Sequence, residues 1–332
     1  MQVIIPMAGF GTRLRPHTYS RPKPLINVAG KSVLGHVLDS FAGLEISELL
    51  CITGYLGKQI EEYVKSNYPI PARFFEQKEL NGQSPAVYLC QGHVSGPALI
   101  VFVDTIIQAN LIQLKEETAD VVAFVKEVKD PRSFGVAKVG ADDQVMRLVE
   151  KPDGMKHGNL AVVGFYYVRE AAELMSAIET QLAQGIQTKG EYYLADAFNI
   201  MLERGARMRV EKVEEWEDCG KPETVLRTNR FLLDHGHANG SQVSSETRII
   251  VPPVHIDPTA RVERAIIGPH VTIAAGCHIQ DAIIRDSIVD EGAHVENALL
   301  QGSLIGRYAS VTEHFYSYNV GDSSAVGYNP RG

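Results

Sequence analysis

The sequence lacks the features that several classes of protein require. It has only four cysteines and they form no CxxC pair, so we expect reduced thiols and neither a disulfide framework nor a zinc site. No run approaches the roughly 18 apolar residues of a membrane helix. The net charge is −8, without a basic stripe, which disfavours binding to nucleic acid. The sequence therefore predicts neither a membrane partner nor a nucleic-acid partner.

The residues that are present suit two hydrophobic cores, since 45% of the 332 residues are apolar. Short apolar strands alternate with amphipathic helices over 1–235, which predicts a Rossmann-like α/β domain with a mixed central sheet. Ser84 and Pro85 predict the start of a helix over 85–93. A strand beginning at residue 2 leaves no room for a signal peptide, so we expect a cytoplasmic protein.

A second domain is predicted over 254–332, after a polar, turn-rich linker at 236–253. Apolar and mostly β-branched residues recur there at intervals of five or six, which is the period of neither a helix nor a hairpin. This period is typical of the hexapeptide repeats of a parallel β-helix, here with three to four coils. The recurring residues are Ile256, Val262, Ile267, Ile273, Ile279, Ile284, Val289, Val295, Leu300, Ile305 and Val311.

The stretch 8–24, AGFGTRLRPHTYSRPKP, follows a short apolar strand and predicts a phosphate site. Gly9 and Gly11 allow close approach of a ligand to the backbone, and the amide N–H groups of such a turn point at anions. Prolines on both sides stiffen the segment that carries Lys23. Leu14 replaces the third glycine of a dinucleotide fingerprint, and the P-loop spacing is also missing. The stretch supplies four cations: Arg13, Arg15, Arg21 and Lys23.

This stretch resembles the signature of the sugar-1-phosphate nucleotidyltransferases, which is a glycine turn, GTRL, a proline and then PKPL. The chain has GFGTRL, Pro16 and PKPL at 22–25, and the match is closest to the glucose-1-phosphate thymidylyltransferases. The resemblance implies a Rossmann-like catalytic domain followed by a left-handed β-helix. It also implies Mg²⁺-dependent transfer of a nucleoside monophosphate from a nucleoside triphosphate to a sugar 1-phosphate, with release of pyrophosphate.

Two aspartates are candidates for holding Mg²⁺. Asp104 follows the apolar run ALIVFV, at the carboxyl end of a predicted strand where α/β sheets bind ligands, and Asp218 lies in WEDCGKPE. Carboxylate oxygens are ligands that Mg²⁺ prefers. The resemblance implies the same pair, although Val103 stands where many relatives have glycine. It further implies that Arg13 stabilises the leaving pyrophosphate and that Lys23 lies between the two reacting anions.

The resemblance also implies residues for each substrate. EKP at 150–152 matches a motif in which the glutamate binds sugar hydroxyls and the lysine binds the phosphate of the sugar; as bare sequence it is a common exposed strand end. A glutamine amide both donates and accepts, so Gln77 suits a pyrimidine edge. The implied nucleotide-binding residues are Ala8, Gly9, Gly11, Thr12, Arg13, Gln77 and Gly82. The implied sugar-phosphate-binding residues are Gly135, Glu150, Lys151, Val162, Gly164, Tyr166 and Glu191.

Several alternatives remain open from the sequence. Favoured substrates are dTTP or UTP with glucose 1-phosphate, and glucose-1-phosphate uridylyl or mannose-1-phosphate guanylyl transfer are alternatives. The β-helix could carry an acyltransferase activity, or the chain could be a non-catalytic regulator that binds a nucleotide-sugar. A homo-oligomer, dimeric or larger, is favoured because the terminal coil and an aromatic tail would otherwise expose apolar surface. The tail aromatics are Phe315, Tyr316, Tyr318 and Tyr328.

Overall fold

The computed structural model describes residues 1–140, 143–245, 247–314, 317–324 and 326. The chain divides into two compact units, residues 1–231 and 232–332. Of the tail aromatics, Phe315, Tyr316 and Tyr328 lie outside the described residues, while Tyr318 is exposed. Among the described residues, every helix is too short or too polar to cross a membrane.

The first unit alternates strands and helices, as the sequence predicts. Its strands are β1 Gln2–Pro6, β2 Asn27–Val28, β3 Lys31–Ser32, β4 Glu48–Thr53, β5 Ala72–Glu76, β6 Ala98–Val101, β7 Thr105–Gln108, β8 Val121–Glu127, β9 Gly135–Val139, β10 Val145–Glu150, β11 Leu160–Val168, β12 Met208–Lys212 and β13 Glu215–Asp218. Its α-helices are α1 Val33–Asp39, α2 Gly57–Asn67, α3 Gln83–Tyr88, α4 Ala171–Gln184, α5 Leu194–Glu203 and α6 Pro222–Leu232. Short 3₁₀ helices span Thr12–Leu14, His17–Tyr19, Lys23–Leu25, Leu111–Glu116 and Met155–His157, and a π-helical turn spans Leu233–His237.

The main sheet is mixed, which confirms the prediction. Its order is β10-β9-β11-β6-β1-β4-β5, with β8 paired to β11 and β12 paired to β8. Strands β6, β1, β4 and β5 run parallel, whereas β11 is antiparallel to β6, β8 and β9. Alternate residues of β1 enter two cores, because successive side chains of a strand point to opposite faces. Ile4 packs with α3 to α5, and Val3 and Ile5 pack with α1 and α2.

The start of α3 differs from the sequence-based prediction of a helix over 85–93 that Ser84 caps. The helix begins at Gln83, has Gly82 as its N-cap and ends at Tyr88. Ser84 is fully buried, and its amide N–H donates to the carbonyl of Tyr192 at 3.1 Å. Pairing of this segment with the chain around Tyr192 therefore sets the start of the helix, and the cap predicted at Ser84 is wrong.

The second unit contains four coils of three short strands each. Its strands are β14 Val243–Ser244, β15 Arg248–Ile250, β16 Val254–Ile256, β17 Arg261–Glu263, β18 Ala265–Ile267, β19 Val271–Ile273, β20 His278–Gln280, β21 Ile283–Arg285, β22 Ile288–Val289, β23 His294–Glu296, β24 Leu299–Gln301, β25 Leu304–Ile305 and β26 Ser310–Thr312. They form three parallel sheets, β15-β18-β21-β24, β16-β19-β22-β25 and β17-β20-β23-β26, with β14 antiparallel at one edge. This is the arrangement of a left-handed β-helix, and it confirms the predicted fold class.

One inward residue per strand builds the core of the β-helix. Ile250 pairs with Ile267, Ile267 with Ile284, and Ile284 with Leu300. The first coil starts with β15, inside the segment 236–253 for which the sequence predicts a linker. Ile250 is buried. It is a further member of the repeat and lies six residues before Ile256, the first member that the sequence analysis identifies.

Candidate active site

The glycine turn after β1 has the geometry of a close-approach loop. Gly11 has φ 62°, and a Cβ there would lie 3.0 Å from Lys23 Cβ and 3.1 Å from Thr18 Cγ2. The Thr18 hydroxyl donates to the Gly11 carbonyl at 2.8 Å. At Gly9 a Cβ would meet no heavy atom within 4 Å. Gly11 is therefore required by its conformation and by packing, whereas Gly9 leaves open space beside the backbone.

A cavity of about 470 Å³ lies at this turn. It brings together eleven of the predicted site residues, which come from widely separated parts of the first unit: Ala8, Gly9, Gly11, Thr12, Arg13, Lys23, Gln77, Gly82, Asp104, Lys151 and Glu191. The rest of its lining is Pro6, Met7, Pro24, Leu80, Gln83, Ala86, Phe102, Val103 and Tyr193. Predicted phosphate-binding, metal-binding and sugar-binding groups thus share one cavity.

Lys23 and Asp104 form an ion pair in this cavity. Lys23 Nζ donates to Asp104 Oδ2 at 3.0 Å, and the side chains are 16% and 43% exposed. The Thr105 hydroxyl donates to Asp104 Oδ1 at 3.1 Å. Burial raises the pKa of Asp104, but the charge and hydrogen bond of Lys23 outweigh it, so the pKa is below its usual value. Asp104 is therefore an ionised carboxylate at neutral pH.

Asp218 is held beside Asp104 by backbone pairing. Strand β13 is antiparallel to β7, with Asp218 opposite Thr105, and the Cys219 amide donates to the Asp104 carbonyl at 2.8 Å. A Cβ on Gly220 would lie 2.9 Å from Asp218 Oδ1 and 3.2 Å from an Arg13 guanidinium nitrogen. Asp218 therefore neighbours Arg13 and Asp104, although it is outside the cavity lining.

Lys151 directly follows β10 with φ 46°. Its amide donates to the Phe134 carbonyl at 2.9 Å, and its ammonium donates to the Tyr193 hydroxyl at 2.6 Å. This hydrogen bond to Tyr193 is the main reason why the pKa of Lys151 is raised, and burial opposes it. Lys151 is thus a positive charge at the cavity, close to the carboxylate of Glu191, which also raises that pKa.

Glu150 and Gly135 face each other across β9 and β10. A Cβ on Gly135 would lie 2.8 Å from Glu150 Oε2, so glycine makes room for this carboxylate. Burial raises the pKa of Glu150; Lys151 lowers it in part, and Asp196 raises it further. Neither Glu150 nor Gly135 lines the cavity.

The three predicted sugar contacts on β11 do not line the cavity either. Tyr166 is buried and stacks on Phe198 at a ring distance of 4.8 Å, so the structure places it in the core beside the cavity. Gly164 has φ 81°, and a Cβ there would lie 3.2 Å from Phe102 Cβ. Gly164 therefore packs against Phe102, which lines the cavity, and the sugar contacts of Val162, Gly164 and Tyr166 stay a prediction.

The predicted base-binding residues lie on a loop that is joined to another lining segment. Gln77 Nε2 donates to the Gly82 carbonyl at 3.2 Å. Gly82 has φ 127° and bridges to Tyr192, and a Cβ there would lie 2.5 Å from the Tyr192 carbonyl oxygen. Gln83 Oε1 accepts from the Leu194 amide at 3.2 Å. Gly82 is therefore required by its conformation and by packing, and the loop is joined to the segment before α5 by the bridge to Tyr192 and by the Gln83 hydrogen bond.

Sequence reasoning missed two polar lining residues, Tyr193 and Gln83. Tyr193 stands two residues after Glu191, so the segment GEYYLAD contained the signal. A tyrosine at the start of an apolar helix would be predicted to lie in the hydrophobic core. Tyr193 does belong to the core and is only 4% exposed, although it also lines the cavity. Its place in the lining depends on the position of Lys151, which is distant in sequence.

Comparison with known proteins identifies the family of the first unit. The model of the family described as Nucleotidyl transferase matches residues 2–235. The bifunctional protein GlmU of Methanocaldococcus jannaschii is 33% identical over 236 residues, covering 70% of this chain and 55% of that protein. The low-salt glycan biosynthesis nucleotidyltransferase Agl11 of Haloferax volcanii is 32% identical over 243 residues, covering 70% of this chain and 66% of that protein. The alignment spans about half the length of the GlmU proteins.

A solved structure extends the comparison to the fold. UDP-glucose pyrophosphorylase complexed with UDP-glucose matches with a TM-score of 0.62 at 17% identity, covering 70% of this chain and 98% of that chain. At this identity the likeness shows the fold alone. The family model, in contrast, matches well over half of the chain. The family that the glycine turn indicates is therefore confirmed, and the chain belongs to the nucleotidyl transferase family.

Proposed function

We propose that this protein is a sugar-1-phosphate nucleotidyltransferase that makes a nucleotide-sugar and pyrophosphate. The favoured substrates are dTTP or UTP with glucose 1-phosphate. The observation that carries the proposal is one cavity lined by Arg13, Lys23, Asp104, Lys151 and Glu191. Three cations and two carboxylates suit a reaction between two phosphorylated substrates, which needs charge neutralisation and a metal but no protein nucleophile.

The aspartate pair fits a divalent cation, and we propose Mg²⁺. Asp104 directly precedes β7, and Asp218 is the last residue of β13, the strand that pairs with β7. Both offer carboxylate oxygens, which are hard ligands suited to Mg²⁺. Within the part of the chain that the structure describes, no group of three or more acidic, histidine or cysteine side chains is placed to hold a metal. Oxygens of the triphosphate and water would complete the coordination, and the bound ion would offset the charge of the phosphates.

The protein's own groups divide the remaining work. The amides of the Gly9–Gly11 turn and the guanidinium of Arg13 bind the triphosphate and stabilise the leaving pyrophosphate. Lys23 lies between the triphosphate and the acceptor. Lys151 holds the phosphate of the sugar 1-phosphate, so that its oxygen is positioned for attack on the α-phosphorus. Glu191 accepts hydrogen bonds from sugar hydroxyls.

Two observations support the choice of substrates. Gln77 and Gly82 keep the spacing of the thymidylyltransferases, and Gln77 lines the cavity. A relative from Haloferax volcanii that is 29% identical over 231 residues, covering 67% of this chain and 93% of that protein, is named a UTP–glucose-1-phosphate uridylyltransferase, AglF. These two observations favour a pyrimidine triphosphate and glucose 1-phosphate.

A matrix of pyrophosphate release tests the proposal. We would combine dTTP, UTP, CTP, GTP and ATP with the 1-phosphates of glucose, mannose, galactose and N-acetylglucosamine, with and without Mg²⁺. The expected result is Mg²⁺-dependent release that is fastest with dTTP or UTP and glucose 1-phosphate. Release with another pair would correct the substrates, and no release with any pair would refute the enzyme.

A homo-oligomer in the cytoplasm is a further part of the proposal. In the last coil Leu300, Ile305 and Val311 are partly exposed, whereas the corresponding inward residues one coil earlier, such as Ile284 and Val289, are fully buried. Apolar residues at the end of a β-helix favour a covering surface. Light scattering coupled to gel filtration would show a dimer or larger assembly; a monomer at all concentrations would contradict it.

A further inference from the structure

The ammonium of Lys151 is held by the phenol of Tyr193. Lys151 Nζ lies 2.6 Å from the Tyr193 hydroxyl oxygen and 4.9 Å from the centroid of its ring. A lysine side chain has four flexible methylene groups, and fixing it costs conformational entropy when the ligand must do so. A partner that fixes it beforehand removes that cost from ligand binding.

Tyr193 is a rigid partner. Its side chain belongs to the buried core of the first unit, and the residue is 4% exposed. Its carbonyl accepts from Nε2 of Gln181, a fully buried residue, at 3.0 Å. It also directly precedes α5 as the N-cap residue. The hydroxyl therefore has one position, at the wall of the cavity.

Glu191 lines the same cavity as Lys151 and Tyr193. Burial raises the pKa of Tyr193 and Lys151 lowers it, while the charge and the hydrogen bond of Glu191 raise it. The phenol oxygen accepts from Lys151, which leaves its O–H proton available to another acceptor. A cation suited to a phosphate and a carboxylate suited to hydroxyls therefore share one cavity with the tyrosine.

We propose that Tyr193 is a positioning residue for the acceptor substrate, which fixes the ammonium of Lys151 at the wall of the cavity that Glu191 also lines. A cation and a carboxylate in one cavity suit a ligand that carries an anionic phosphate and neutral hydroxyls on one small ring, such as a sugar 1-phosphate. This inference rests on the proposed function. Removing the hydroxyl should weaken binding of the sugar phosphate and leave binding of the triphosphate unchanged.

A double-mutant cycle tests whether Tyr193 acts through Lys151. Tyr193→Phe keeps the ring and removes the hydroxyl, and should raise KM for glucose 1-phosphate about tenfold, the loss of one hydrogen bond to a charged group. KM for dTTP and kcat should change less than about twofold on the same argument. In a Lys151→Met background the same change should have little further effect. An unchanged KM for glucose 1-phosphate, or a full tenfold effect in that background, would overturn the proposal.

A second measurement does not depend on turnover. In protein labelled with ¹³C at the lysine ε-carbon, the Lys151 signal is identified by its loss in Lys151→Met. Tyr193→Phe should shift that signal and lower the pKa of Lys151, because the phenol favours the charged form. Tyr88→Phe, which removes a phenol outside the cavity lining, is the matched control. An unchanged Lys151 signal refutes the role of Tyr193, whereas an inactive wild type with a shifted signal refutes the proposed function instead.

Discussion

The two units of the chain use charged side chains in different ways. In the β-helix, Arg264 pairs with Asp281 one coil away at 2.6 Å, and Arg285 donates to Gln301. In the cavity of the first unit, the pKa of Asp104 is lowered by Lys23 and the pKa of Lys151 is raised mainly by its hydrogen bond to Tyr193, in both cases against the effect of burial. Exposed pairs between coils contribute little to stability, whereas perturbed groups that line a cavity are typical of a functional site.

This difference indicates where the chemistry lies. Two histidines of the β-helix pack against other side chains of the same unit: His270 faces Asp234 at 2.9 Å, and His278 packs against His294. Neither lines the cavity of the first unit. The family match over residues 2–235 lies almost wholly in the first unit, and we propose that catalysis belongs there and that the β-helix has a structural role.

The largest effect is expected for Asp104→Asn. The variant keeps the size of the side chain and an acceptor for Lys23, but it removes the charge that would bind a divalent cation. Loss of metal-borne stabilisation of several kcal/mol should lower kcat by about 10³-fold or more. Pyrophosphate release at saturating Mg²⁺ measures it.

Asp39→Asn is the matched control for this prediction. Asp39 also pairs with a lysine, Lys31, but on the exposed surface. It should retain wild-type turnover, because a surface ion pair contributes little. Near-normal turnover of Asp104→Asn would remove Asp104 from the proposed metal site.

The next largest effect is expected for Gly82→Ala. A Cβ at this position would lie 2.5 Å from the Tyr192 carbonyl oxygen, and φ is 127°. The loop that carries Gln77 must therefore shift away from the segment before α5. We expect kcat/KM to fall about 100-fold, since small displacements of positioning groups have effects of that size.

Gly92→Ala separates crowding from conformation in that experiment. Gly92 also has a positive φ, 77°, but a Cβ there would meet nothing within 4 Å. It should cost stability on the order of 1 kcal/mol, from strain alone, with kcat/KM unchanged. Equal losses of kcat/KM in the two variants would show that close packing of Gly82 against Tyr192 is not needed for activity.

Much of the fold was predictable because its signals are local or periodic. Strand β1 begins at residue 2, as predicted, because it is a short apolar run. The β-helix is specified by a period that neither a helix nor a hairpin has. The start of α3 could not be predicted, because it is set by pairing with Tyr192, more than a hundred residues away in the chain.

The residues of the site also fall into those that a single segment predicts and those that depend on distant segments. Residues on the glycine turn were predictable because the turn, its cations and its prolines are contiguous. A strand motif does not tell which of its alternate residues faces a cavity, and the sequence could not show that Tyr166 packs in the core beside Phe198. Tyr193 was missed, because its role exists only through Lys151. Sequence thus identifies groups that act from one segment, and the structure is needed for groups that act across segments.

A smaller effect, on stability alone, is expected for Ile284→Ala. Ile284 is fully buried in the β-helix between Ile267 and Leu300, so the change leaves a cavity and should lower the free energy of unfolding by about 2–5 kcal/mol. The adjacent Ile283 points outward and is 43% exposed, and Ile283→Ala should cost less than about 1 kcal/mol. Urea unfolding measures both. Turnover of the folded variants should equal wild type, and a loss in kcat would contradict the division of roles.

The smallest effect is the pH dependence that Glu150 contributes. Burial raises the pKa of Glu150 in the folded state, so the folded protein holds this proton to higher pH than the unfolded chain does. The free energy of unfolding should therefore fall as pH rises from the ordinary glutamate value of about 4.3 through the raised pKa. Glu150→Gln removes this titration. The stability of the variant relative to wild type, from urea unfolding, should be near zero at acid pH and positive at neutral pH. Other groups titrate alike in wild type and variant, so the difference between their free energies of unfolding reports on Glu150 alone. If that difference stays constant or falls as pH rises, the folded state stabilises the charged carboxylate and the prediction is wrong.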